Sequence, residues 1–180
     1  MKTSKRRPKR ILNASQISSI FERFRKEMSR RYDSLDQVVF IGVRTRGPFV
    51  ARRLAQLIKK HYEMNIPIGE MDITLYRDDL NALLPGGTID HTRIQFDIAN
   101  KIVVLFDDVL NTGRTVRAAV DHLIDLGRPR MIHLAVMIDR GGRELPIAAN
   151  YVGKTVRLAS GKNIQVRLKE IDKVDEVVIE

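Results

Sequence analysis

Apolar positions recur along the chain with two alternating periods. Ile17, Ile20, Phe21, Phe24 and Met28 follow helical spacing, with Arg23, Arg25 and Lys26 on the opposite face. Asn13 and Gln16 stand just ahead of that run in capping-box positions, so a helix is expected to open there. The continuous apolar run 38–43 predicts a buried strand. Pro48 suits the first turn of a following helix, whose stripe is Ala51, Leu54, Ala55 and Ile58. Residues 66–71 predict a further strand. Residues 72–97 break the rhythm with mixed polarity and a Pro-Gly-Gly turn, which predicts an excursion or flexible hairpin outside the main sheet. The pattern returns as a strand over 102–106, then a helix with Val116, Ala119, Val120, Leu123 and Ile124 inward, ended by Gly127 and Pro129. Residues 131–138 predict a strand. A turn-rich stretch follows, then short strands near 164–168 and 174–179.

Strand and helix in alternation predict an α/β fold, a doubly wound and mostly parallel sheet covered on both faces. Ligands of such sheets bind beyond the carboxyl ends of the strands. Two unusual loops lie there. One is "RTRG", Arg44 to Gly47. The other follows "VVLF": the adjacent Asp107 and Asp108, then Thr112, Gly113, Arg114 and Thr115 at the start of a helix. Adjacent carboxylates are costly to desolvate unless something binds them; a diol or a hydrated Mg2+ would. Gly113 lets a ligand approach the backbone, and helix N-terminal amides favour an anion. Carboxylates for a sugar diol beside a cradle for a phosphate describe a site for a ribose 5-phosphate. The plainer alternative is a helix cap and a turn; the complete strand, Asp-Asp, Thr-Gly-x-Thr and helix context argues against it. The lysine of a Walker-type loop is missing.

Composition narrows the class. The 180 residues suffice for one domain with a core, and no apolar run approaches a membrane span or a signal peptide. The absence of cysteine excludes disulfides and thiolate chemistry, and suits a cytoplasmic location. Net charge is +10, unevenly placed: residues 1–10 carry six cations and no acid, which leaves +4 for the other 170. Those ten residues are expected to form a disordered basic tail ahead of a domain over 11–180, either a solubilising leader or a contact for RNA phosphates. The four histidines show no metal-like spacing, and His122 and His133 suit structural positions.

"VVLFDDVLNTGRT" resembles the signature of the type I phosphoribosyltransferases. Together with "IGVRTRG", "GEMDITLYRDD" and "LAVMIDRGGRELPIAANYVGK", it is similar to the bifunctional uracil phosphoribosyltransferases that also attenuate the pyrimidine operon through RNA. The resemblance covers roughly residues 11–180. It implies a type I fold with a small hood, and transfer from phosphoribosyl pyrophosphate to uracil, giving UMP and pyrophosphate. It puts Asp107 and Asp108 on the ribose hydroxyls. The 5-phosphate falls to Thr112, Gly113, Arg114 and Thr115, with Val109, Leu110 and Asn111 completing the donor motif. Thr45 and Arg46 meet the pyrophosphate, and Arg77, in a loop expected to close over the donor, reaches it too. Mg2+ comes with the donor, without a dedicated protein ligand. Ile138, Asp139 and Arg140 mark the region expected to meet uracil. No general base is evident, because Asn111 stands where some purine-using relatives carry a carboxylate. The resemblance also implies leader RNA as a second partner, a homodimer or larger homo-oligomer, and Lys26, Arg143 and Lys154 as candidate RNA contacts. Here the chain departs from the pattern: Gly142 replaces a histidine and Ala148 an arginine, each common in the regulatory relatives.

Overall fold

A computed structural model describes residues 8–76, 91–158 and 161–180. The chain runs β1 (Lys9–Leu12), α1 (Ala14–Arg31), β2 (Val38–Val43), α2 (Gly47–Tyr62), β3 (Ile68–Met71), β4 (Ile102–Leu110), α3 (Arg114–Leu126), β5 (Met131–Asp139), β6 (Tyr151–Thr155), β7 (Ile164–Arg167), α4 (Lys169–Asp172) and β8 (Glu176–Ile179). Five strands form a parallel sheet in the order β3-β2-β4-β5-β6. β1, β8 and β7 form a separate antiparallel sheet, which is the hood.

The two-sided burial of the central strands follows from their alternation. Val38, Phe40, Val104 and Phe106 belong to one core with the apolar stripes of α1 and α2. Val39, Ile41, Val103 and Leu105 belong to a second core with Val116, Ala119 and Leu123 of α3. Leu12, Val166, Leu168 and Val177 of the hood and its flanks join the first core, so the small sheet is packed onto the large one. Asn13 and Gln16 close the expected capping box at 2.9 and 3.0 Å.

Several expectations change. Lys9 and Arg10, assigned to the tail, pair with Ile179 and Val178 of β8; residues 1–7 lie outside the described residues. Arg25 is buried, because its guanidinium reaches back to Glu22 and on to the Tyr62 hydroxyl at 2.7 Å. Ile124 is 61% exposed, on the outer side of α3. β3 begins at Ile68, and β4 does not stop at Phe106: it continues through both aspartates, held by pairing with β5 as far as Leu110 with Asp139. β6 lies inside the stretch expected to be turn-rich. Most of the expected excursion falls on residues 77–90, outside the described residues.

α2 sits very close to the sheet. A Cβ added at Gly42 would lie 2.2 Å from the Pro48 nitrogen, and one at Gly47 would lie 2.3 Å from the Phe106 carbonyl oxygen. Only glycines allow that approach, which sets the Arg44–Arg46 loop beside the end of β4.

Candidate active site

At the carboxyl ends of β2, β3 and β4 lies a cavity of about 420 Å³, a size ordinary for a small-molecule site. Asp107, Asp108 and Val109 of β4 line one wall, with Thr115 from the first turn of α3. Arg44 and Thr45, joined by a cis peptide, line another. The third comes from the segment after β3, with Asp72, Thr74 and His91. Asp72 accepts from the Thr74 amide at 3.0 Å and from its hydroxyl at 2.5 Å.

The two aspartates differ in setting. Asp107 is 7% exposed and accepts the Asp108 amide at 2.8 Å. Burial, and then the like charge of Asp108, push its carboxyl well above the usual range, against that backbone hydrogen bond. Asp108 is half-buried and accepts from the Val109 amide at 3.0 Å.

The turn from β4 into α3 has the form of an anion cradle. Gly113 is the N-cap residue at φ 93°, and the first i to i−4 bond runs from Arg117 N to the Gly113 carbonyl at 2.9 Å. The amides of Gly113, Thr115 and Val116 precede that bond, so helix geometry leaves them to a ligand. Arg114 donates its own amide to the Thr112 hydroxyl, while its side chain turns outward to Glu144 at 2.6 Å.

Other expected residues point elsewhere. Arg46 does not line the cavity; its guanidinium donates to Asp172 of the hood at 3.1 Å. Ile138 is wholly buried in the core. Arg140 donates to the Lys162 carbonyl at 3.0 Å. The Asp139 carboxylate accepts from Arg143 at 2.7 Å. Burial would raise that carboxyl, but the hydrogen bonds from Arg143 and the Gly141 amide, with the Arg143 charge, outweigh it and hold it below the usual carboxylate range. Arg77 lies outside the described residues. Of the three candidate RNA contacts, Lys26 and Lys154 are exposed, whereas Arg143 is folded inward. Asp72 and Thr74 were missed, although Asp72 directly follows a strand and the same strand-end logic finds it. Nothing local marks His91.

A model of the phosphoribosyl transferase domain matches residues 9–171. The chain belongs to the phosphoribosyltransferase family. A protein of Chloroflexus aurantiacus named "Bifunctional protein PyrR" is 50% identical over 171 residues, covering 95% of this chain and 94% of the relative. One of the same name from Pelotomaculum thermopropionicum is 48% identical over 169 residues, covering 94% and 93%. Among solved structures, a hypoxanthine phosphoribosyltransferase from Staphylococcus aureus superposes with a TM-score of 0.72 at 18% identity, over 94% of this chain and 90% of that one. One from Trypanosoma cruzi gives 0.75 at 15% identity, over 95% and 94%. At those identities the likeness establishes the type I fold alone, and this chain is accordingly a phosphoribosyltransferase in fold and family. No described helix is long and apolar enough to cross a membrane.

Proposed function

We infer that the chain is a uracil phosphoribosyltransferase, which joins N1 of uracil to C1 of the ribose of phosphoribosyl pyrophosphate, giving UMP and pyrophosphate. The observation that carries this is the convergence of two carboxylates, a helix N-terminal turn and an arginine-bearing loop on one cavity at the end of a parallel sheet. Asp107 and Asp108 accept hydrogen bonds from the ribose hydroxyls. The turn from Thr112 to Thr115 holds the 5-phosphate, and Val109, Leu110 and Asn111 carry the chain between these two subsites. Arg44 and Thr45 face the pyrophosphate, where negative charge grows as the glycosidic bond breaks and fixed positive charge lowers the barrier. Arg46 acts one step away, from its pairing with Asp172.

The adjacent carboxylates of Asp107 and Asp108 on the cavity wall offer oxygen donors, the kind that Mg2+ takes. Asp107 and Asp108 would hold it together with the donor's own oxygens, and the cation would neutralise part of the pyrophosphate charge. Since the side chains of Ile138, Asp139 and Arg140 are engaged, uracil recognition in that region falls to backbone groups.

The test is a mixture of protein, phosphoribosyl pyrophosphate, Mg2+ and each of uracil, hypoxanthine, guanine and orotate, followed by chromatography. UMP as the sole nucleotide is expected; nucleotide from another base, or from none, overturns the assignment.

A second role, UMP-dependent attenuation through pyrimidine operon leader RNA, is favoured by the exposed face of α1. Three serines, Lys26 and Arg30 border one open recess there, together with Glu22 and the paired Arg23 and Glu27. Against it stand Gly142 and Ala148, the latter on an apolar recess beside α3. Retardation of leader RNA in a gel, strengthened by UMP, is the expected result. Assembly as a homodimer or larger homo-oligomer and a cytoplasmic location complete the proposal; sedimentation and cell fractionation check them.

A further inference from the structure

The carbonyls of residues 110–112, which lead into the phosphate turn, all accept from the segment 140–145. The Leu110 carbonyl accepts the Arg140 amide at 3.0 Å, and the Thr112 carbonyl accepts the amides of Glu144 and Leu145 at 2.9 and 3.2 Å. The carbonyl between them, on Asn111, accepts from the Arg143 guanidinium at 2.7 Å. From the same planar fork, Nε of Arg143 donates to the Ile147 carbonyl at 2.9 Å and Nη2 to the Asp139 carboxylate at 2.7 Å. Longer contacts reach the Leu110 and Gly141 carbonyls at 3.4 and 3.3 Å. Residues 139–147 thus back the turn from behind. Gly142 adopts φ +73°, and a Cβ there would stand 2.9 Å from the Asn111 side-chain oxygen. On the other flank, a Cβ at Gly113 would meet Ile147 at 3.3 Å.

A peptide plane whose oxygen is held behind presents its N–H in front. A carbonyl released from its partner would swing a partial negative charge toward the place a phosphate occupies. We propose that Arg143 is a positioning residue for the 5-phosphate of the donor: it fixes the Asn111 peptide, and with it the Thr112 amide and the turn that follows, in the anion-facing orientation. This rests on the assignment of that turn to the 5-phosphate. It gives Arg143 an inward task distinct from any RNA contact. The guanidinium is needed for its shape, because three acceptors lying in different directions match a planar five-donor fork and not the compact ammonium of lysine.

The experiment measures ribose 5-phosphate binding by calorimetry in the full chain, and steady-state kinetics with phosphoribosyl pyrophosphate, for Arg143→Lys and Arg143→Gln. Losing a charge-assisted hydrogen bond changes an equilibrium constant by roughly tenfold to a hundredfold. Both variants are expected to bind ribose 5-phosphate that much more weakly and to raise KM for the donor in step, with kcat at saturating donor within about threefold of the parent. Wild-type affinity in Arg143→Lys overturns the proposal, since charge alone would then suffice. So does a fall in kcat with donor KM unchanged. Should both variants fail to fold, hydrogen exchange in the wild-type chain decides. With ribose 5-phosphate, the amides of 110–115 and 139–147 are expected to slow together. Slowing of 110–115 alone overturns the role of Arg143. Slowing of neither removes the phosphate assignment, and the proposal with it.

Discussion

Replacing Asp107 by Asn is expected to abolish turnover and yet to stabilise the free protein. Asp107 is almost wholly buried beside Asp108, and burial and that neighbour raise its pKa. Ionising it in the folded state therefore costs more than in the unfolded chain. Asn has nearly the same shape and keeps an oxygen for the Asp108 amide, so the substitution removes the charge and little else. An inadequately partnered buried polar group costs about 1–3 kcal/mol, and a charge more, so a gain of at least about 1 kcal/mol is expected at neutral pH. In a chain of this length each kcal/mol moves Tm by about 2–4 °C. The sign with pH is fixed. A carboxyl whose folded pKa is raised gives its full stability below the unfolded value, near 4, and loses it as pH rises through the folded pKa. The variant should thus match the wild type at about pH 3.5 and pull ahead toward pH 7. Donor with Mg2+ should reverse the order, because a ligand at about 100 times its Kd adds about 2.7 kcal/mol to a chain that binds it. The assay is thermal unfolding across pH, with and without donor. A variant less stable than the wild type at pH 7, or a gap that closes as pH rises, refutes the reasoning.

Gly113→Ala places a side chain at φ 93°, which costs about 1–2 kcal/mol; a lower Tm and weaker donor affinity are expected, with Gly113→Asn milder in both. Removing residues 1–7 should leave UMP formation and Tm unchanged, whereas removing 1–12 deletes β1 and should lower Tm, as differential scanning calorimetry would show. Arg53 grips Glu170 and Asp175 of the hood. Its hydrogen bond lowers Glu170, and at Asp175 the same partner outweighs the opposing effect of burial. The stability from this clamp is present above the unfolded carboxylate pKa and lost as pH falls through the folded values, so the Tm gap between wild type and Arg53→Gln should narrow below about pH 4.

The parts of the fold legible in the sequence are those in which a local pattern meets a single environment. Strands buried on both faces read as unbroken apolar runs, and the stripes of α1 and α2 read at helical spacing. β6 escaped because "YVGKT" is half polar. Its glycine looks like a turn, but it serves the close approach of the Met137 carbonyl, 2.3 Å from where a Cβ would stand. The end of β4 escaped because aspartates rarely continue a strand, and only pairing with β5 carries them. In the site, Asp107 and Asp108 at the end of β4, Thr45 in the loop after β2 and Thr115 in the first turn of α3 share a cavity because neighbouring strands of the sheet end side by side. The arginines misled, since a long side chain goes where a distant partner takes it. Arg46 is held by Asp172, 126 residues away, and Arg143, besides its near partners Asp139 and Ile147, by the Asn111 carbonyl 32 residues earlier. Neither distant partnership leaves a trace in local spacing.

In the hood, β8 lies between β1 and β7, so the first described strand of the chain is paired to the last. During synthesis the parallel sheet and the loops at its carboxyl end can assemble while β1 still waits for a partner. A chain stalled before residue 176 would carry a formed cavity at the carboxyl ends of the sheet and an open hood, with strand edges exposed to other chains. Completion of the hood thus waits until β8 has been made. Because Lys9 sits opposite Ile179, a short linker could join β8 directly to β1, and a permutant so joined and opened elsewhere would hold the hood together from its first folding event.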